Sequence, residues 1–164
     1  MSSDQHLGVR LAEEAELDLL AQLWYQGWQD AHALILPAEL ARRRTAQDFR
    51  RRLGEETARL RVAGPIGRPV GLCMVKHDEL DQLYVAEEAR GGGVAAALLA
   101  DGEARLAATG VRAAWLACAI GNDRAARFYE KHGWVRGGVM HRELETAEGP
   151  FPVDVWRYEK QLSG

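Results

Sequence analysis

Apolar and polar positions along the chain fall into two periods, one of strands and one of helices. Residues 7–11 alternate weakly and predict a first strand. Over residues 15–31, Leu19, Leu20, Leu23, Trp24 and Trp28 recur at helical spacing. Pro37 interrupts this pattern and Ala38-Glu39-Leu40 resumes it, which predicts a second helix from Pro37 to about Leu53, stopped by Gly54. Residues 58–63 alternate, residues 70–75 are an apolar run, and GPIGRP between them reads as a turn. A strand over 80–85 follows, then a helix to about Ala108 closed by Gly110. Residues 111–120 form an apolar strand, and Asn122 caps a helix through His132. Residues 134–144 and 153–158 complete the pattern as two strands. Short links make the second, third and fourth strands antiparallel, whereas the strand–helix–strand passages after residue 80 require parallel pairing. The predicted fold class is α/β with a mixed sheet and helices on both faces, in one domain over residues 1–164.

One stretch exceeds what packing needs. Residues 90–99 read RGGGVAAALL, three glycines behind an arginine and directly before a helix. Glycine is the residue most costly to order, so a triplet there calls for a reason. A helix N-terminus carries unpaired N–H groups and about half a positive charge, and glycines let a ligand reach them without a Cβ in the way. Arg90 adds a guanidinium fork suited to phosphate oxygens. The nucleoside-triphosphate loop needs Lys-Ser or Lys-Thr after the glycines, and neither is present. The dinucleotide motif wants a strand running straight into the first glycine and an acid about 20 residues on. Here AEEAR intervenes after Val85, and no acid stands around Val111.

Arg90 to Ala95 resembles the Q/R-x-x-G-x-G/A signature of the GCN5-related N-acetyltransferase (GNAT) superfamily. The preceding LDQLYVAEEA resembles that family's fourth strand and linker, with Glu87 where a proline is common. NDRAARFYEKHGW, residues 122–134, is similar to the family's N-x-x-A-x-x-F/L-Y-x-x-x-G-F/W signature. The resemblance implies a twisted mixed sheet of about six or seven strands with about four helices, splayed between the fourth and fifth strands. It implies acetyl-CoA as co-substrate, with its pantetheine arm paired to the backbone of Leu83 and Val85 and the Val85 N–H facing the thioester oxygen. Gly91, Gly93, Val94 and Ala95 would cradle the pyrophosphate through main-chain amides, with Gly92 beside them and Arg90 contacting it. Asn122 would touch the pantetheine arm, and Tyr129 would protonate the departing thiolate. Glu79 aligns with a glutamate base of some members; Asp81, on the same strand face by the period-2 rule, and His77 are alternatives, as is water. The acceptor pocket would involve Trp28 and His32, near Trp24, Tyr25, the 34–37 loop and Trp156. The implied reaction acetylates a primary amine, on a small molecule or a peptide, by direct attack in a ternary complex. A non-catalytic acyl-CoA-binding sensor on the same fold and an unrelated nucleotide-binding module stay open.

Composition narrows the partners. Of 164 residues 47% are hydrophobic, enough for a sizeable core, and 21 basic against 24 acidic residues leave a net charge of −3. That balance argues against nucleic acid. Cys73 and Cys118 sit in apolar runs and read as small buried hydrophobes, with no metal expected. No leader and no apolar stretch near the ~18 residues of a membrane span are seen, so the expected location is cytoplasmic, without a membrane partner. A homodimer is left open. Arg42-Arg43-Arg44 and Arg50-Arg51-Arg52 read as a solvated helix face laced with acids.

Overall fold

Leu7, expected in the first strand, lies outside the described residues, because the computed structural model describes residues 8–162. Strand β1 keeps only Val9–Arg10. A 3-10 turn at Glu14–Glu16 leads into helix α1 (Leu17–His32), whose buried Leu20, Trp24 and Trp28 form one apolar stripe at the expected spacing. Strands β2 (Leu60–Ala63), β3 (Gly71–Lys76) and β4 (Glu79–Val85) form an antiparallel meander. Residues 58–59, expected as strand, fall instead in a 3-10 turn at Thr57–Arg59. Helix α4 (Val94–Ala108), strand β5 (Ala113–Ala119), helix α5 (Asp123–Lys131) and strands β6 (Val135–Leu144) and β7 (Phe151–Gln161) follow.

The seven strands form one sheet in the order β1-β2-β3-β4-β5-β7-β6, with β4–β5 its parallel pair. The last hairpin therefore folds back, seating β7 between β5 and β6. Alternate side chains feed two cores. Leu60, Val62, Leu72 and Met74 meet α1 on one face, while Cys73, Leu80, Leu116 and Cys118 meet α4 on the other. Each such aliphatic side chain contributes about 1.5–3 kcal/mol when fully buried.

The second helix differs from expectation. It is two helices, α2 (Ala38–Arg43) and α3 (Ala46–Glu55), broken at Arg44-Thr45. Thr45 is extended, and its hydroxyl accepts the Asp48 N–H at 3.0 Å, so it caps α3 rather than continuing α2. The break also corrects the reading of the arginines as a solvated face. It turns Arg44 inward to 3% exposure, and Arg52 is half-buried with its guanidinium 4.5 Å from the Trp24 ring. Thr45→Ala should lower stability by about 1 kcal/mol and the unfolding midpoint by about 2–4 °C. Thermal unfolding by circular dichroism reads this directly, and an unchanged midpoint would mean the cap does not hold α3.

Candidate functional site

β4 and β5 meet at a single register pair, Glu79↔Trp115, supported by the Trp115 N–H donating to the Asp78 carbonyl at 3.1 Å. Beyond it they part. On β4, Gln82 faces Met74 and Leu80 faces Val75, so Asp81 between them has no opposite residue. This is a bulge, which bends the strand and raises its twist. It also breaks the period: Leu80, Leu83 and Val85 pack toward α4, while Tyr84 packs toward α1. The Ala86 N–H donates to the Val70 carbonyl at 2.8 Å, and Tyr84 is paired with Leu72. By the alternation of an antiparallel ladder, the backbone groups of Leu83 and Val85 then point away from β3, into the gap. The gap thus exposes a strand edge that an extended, amide-bearing ligand can pair with.

The glycine stretch lies at the same end of β4. A 3-10 turn at Glu87–Ala89 follows the strand. Gly91 and Gly93 both have φ of 85°, a left-handed conformation that side chains resist. A Cβ on Gly91 would meet nothing within 4 Å, so glycine is needed there for its backbone angle and not for space. Gly93 precedes α4 without a side-chain cap, and no acid stands in the first turn. The leading amides of Val94, Ala95 and Ala96 are thus left for an anion. Gly92 sits within this loop, and the Arg90 guanidinium lies 3.9 Å from Asp30, a loose exposed pair.

On the α1 side the gap opens into a cavity of about 680 Å³, large enough for a small ligand. Leu83, Asn122, Tyr129, Trp28 and His32 all line it, although the sequence places them on three separate elements, β4, α1 and α5 with its cap. The Asn122 side chain accepts the Ala125 N–H at 3.4 Å, capping α5 as expected. Tyr129 is ringed by Phe128, Trp134 and Tyr158, and burial pushes its hydroxyl above the usual range, keeping it protonated. The cavity raises thiols likewise: burial lifts Cys118 to about 11. His32 Nδ1 lies 3.0 Å from the Trp28 carbonyl, and because a carbonyl only accepts, Nδ1 holds the proton and Nε2 a lone pair. Burial lowers its pKa to about 4, with Arg44 adding to the effect and the Trp28 carbonyl opposing it.

Glu79 and Asp81 flank Leu80 on β4, and the bulge at Asp81 shifts the alternation only beyond them. Asp81 is on the cavity wall, 3.7 Å from Arg59, whereas Glu79 is 5% exposed and accepts from Arg142 at 2.8 Å. Burial raises the Glu79 pKa, Asp81 adds to this, and Arg142 opposes it. His77 is exposed at the β3–β4 turn with φ of 55°. Trp156 is stacked under Arg136 at 4.4 Å, outside the cavity wall. Sequence reasoning missed Arg44, Arg52, Tyr84 and Arg142, which the wall includes. For Arg44 a signal existed: Thr45-Ala-Gln-Asp48 is a helix-start pattern that marks the break.

The acetyltransferase (GNAT) family model matches residues 17–134. Solved structures agree in fold. The GCN5-related N-acetyltransferase of Rhodopseudomonas palustris is 20% identical, with a TM-score of 0.73 over 94% of this chain and 95% of that one. The PaiA N-acetyltransferase of Thermoplasma acidophilum, solved in complex with coenzyme A, is 18% identical with a TM-score of 0.70 over 94% and 98%. YncA of Salmonella typhimurium, a structure with acetyl-CoA, is 16% identical with a TM-score of 0.70 over 96% and 94%. No curated protein matches the sequence. Among the described residues no helix is long and apolar enough to cross a membrane, and no group of three or more metal-ligating side chains occurs.

Two expectations test this geometry. A side chain at Gly93 would strain the turn, so Ala95→Asp is the cleaner probe of an anion at α4. An acid in a first turn favours the helix, while its repulsion of a bound pyrophosphate should cost several kcal/mol. Coenzyme A affinity by calorimetry should fall about a hundredfold with the midpoint of the free protein unchanged or raised, and retained affinity would remove the anion from this site. The second concerns pH. The pKa of His32 is about 4 in the fold against 6.5 ordinarily, so its contribution is complete above pH 6.5 and lost as pH falls to about 4. Between those limits the wild type should lose about 3 kcal/mol more than His32→Gln in urea unfolding; parallel losses would mean His32 is not held neutral.

Proposed function

From the premise that the chain belongs to the acetyltransferase (GNAT) family, we propose that it moves the acetyl group of acetyl-CoA to a primary amine by direct attack in a ternary complex, within a single domain. The observation that carries this reading is the joining of an unpaired β4 edge at Leu83 and Val85 to a bare helix N-terminus at Gly93. The two suit an extended amide-bearing arm that ends in a diphosphate. Leu83 and Val85 pair with the arm and Asn122 steadies it, while Gly91, Gly93, Val94 and Ala95 supply amides to the pyrophosphate, with Gly92 and Arg90 at its margin.

The chemistry needs a proton removed from the amine and a proton given to the thiolate. The Val85 N–H donates to the thioester oxygen as negative charge develops there, an interaction worth about 3 kcal/mol where similar donors have been removed. A C–N bond forms and the C–S bond breaks. Tyr129, held neutral by burial, donates its phenolic proton to the departing sulfur. Glu79 and Asp81, at the start of β4, receive the amine proton through water. Trp28 and His32 frame the acceptor.

Thermal shift with acetyl-CoA, coenzyme A, ATP and NAD in parallel tests the donor. Acetyl-CoA and coenzyme A at 100 times Kd should each add about 2.7 kcal/mol, several degrees, and ATP and NAD nothing. Thiol release across an amine panel then reads turnover, and Tyr129→Phe should lower kcat about a hundredfold, as loss of a general acid does, without altering the acetyl-CoA shift. A shift with no turnover on any amine would favour a non-catalytic acyl-CoA sensor. Full activity of Tyr129→Phe would return that ring to packing alone.

A further inference from the structure

The deep wall of the cavity, on the α1 side, holds more positive charge than the fold consumes. Three guanidiniums, Arg44, Arg51 and Arg52, converge on α3, where Asp48 and Glu55 are the facing carboxylates. Arg51 takes both, at 2.8 Å to Asp48 and 3.2 Å to Glu55. Arg44 is left with a 3.5 Å contact to Asp48 and a 2.7 Å bond from Nη1 to the Glu145 carbonyl. Its side chain is only 4% exposed, and its Nε has no partner among the described residues. Trp24 Nε1, on the same wall, is likewise buried and unpaired. Such groups destabilise the fold, the more so when charged, unless something meets them.

Arg52 points to what that is. Its guanidinium lies over Trp24 at 4.5 Å and Phe49 at 5.7 Å. Stacking fixes the plane of the fork without using its N–H donors, and among the described residues Arg52 makes no hydrogen bond or ion pair. Arg44 and Arg52 are close enough to oppose each other's charge, and the Tyr84 hydroxyl lies within reach of both fields. The acids near them, buried Asp48 and half-buried Asp81, are already engaged by Arg51 and Arg59. These two arginines stand across the sheet from the α4 N-terminus, in the other core, so the surplus is separate from the diphosphate cradle.

We infer that the amine acceptor also carries a carboxylate, which Arg44 and Arg52 bind at the deep wall while the amine faces the β4–β5 gap. The inference rests on the acetyl-transfer reading and names its substrate class. A planar carboxylate matches a guanidinium fork and would meet the unpaired Arg44 Nε. The His32 Nε2 lone pair, on the same wall, can accept from the amine end. A cavity of about 680 Å³ shared with the thioester end of the donor suits a small amino-carboxylate.

The experiment compares an amino acid panel with the matching amino acid amides and aminophosphonates, reading thiol release with acetyl-CoA. Binding is read separately, as calorimetric titration of each compound into the protein with coenzyme A. Amino-carboxylates should be preferred over their amides in both. Arg52→Gln, which removes no hydrogen bond or ion pair of the fold and only its stacking on Trp24 and Phe49, should lower kcat/KM for the carboxylate at least about 30-fold, the loss expected for one partner of a buried charged pair. That loss should fall mainly on KM, with amide turnover and the acetyl-CoA thermal shift unchanged. Arg44→Gln should act in the same direction, with some loss of stability from the Glu145 contact. Equal use of amides, preference for phosphonates, or an equal effect of Arg52→Gln on both substrate types would overturn the carboxylate assignment while leaving acetyl transfer standing. Absence of an acetyl-CoA shift would instead overturn the parent reading.

Discussion

Everything at the site depends on one constraint: a parallel strand pair that must be closed at its start and open beyond it. Glu79↔Trp115 and the Trp115-to-Asp78 hydrogen bond clamp β4 to β5. Two residues after Glu79 the unpaired Asp81 turns β4 away. The helices reinforce the bend by lying very close. A Cβ on Gly27 of α1 would stand 2.7 Å from the Tyr84 ring, and one on Gly102 of α4 would stand 2.9 Å from Leu80. Both contacts are to β4, so the strand that opens the sheet is also gripped from its two faces.

The opened sheet separates two kinds of electrostatics. At the α4 end the available positive potential comes from main-chain amides, with two left-handed glycines shaping the approach. In the cavity it comes from guanidiniums, of which Arg44 is buried and Arg52 half-buried, only partly consumed by carboxylates. Burial has opposite effects on neighbouring groups here. It holds Tyr129 and Cys118 protonated and His32 unprotonated, so three titratable side chains around the gap are neutral near pH 7. The net charge of −3 over the whole chain predicts none of this, because each site is set by groups a few ångströms away.

Local patterns carried most of the fold. Helical spacing in α1, the alternation of β2, the apolar runs of β3 and β5 and the cap at Asn122 all rest on neighbours in the chain, and each element forms close to where its pattern lies. The misreadings also have local causes. A helical period running through residues 38–53 hid the break at Arg44-Thr45, because the apolar positions on either side stay roughly in phase. Strict period 2 along β4 fails beyond Asp81, because that bulged residue has no partner on β3 and shifts Gln82 and Leu83 by one position.

By itself the sequence determined most of the elements, the glycine turn before α4 and membership of the family, since propensity, capping and glycine conformation are short-range and two signatures lie in uninterrupted stretches. Only the tertiary structure decided where β4 leaves β5, that Asp81 rather than Glu79 reaches the cavity, that Arg44 turns inward and that Arg52 stacks on Trp24. Those outcomes follow from bulges, from the packing of helices onto strands distant in the chain, and from which carboxylates other arginines had already taken.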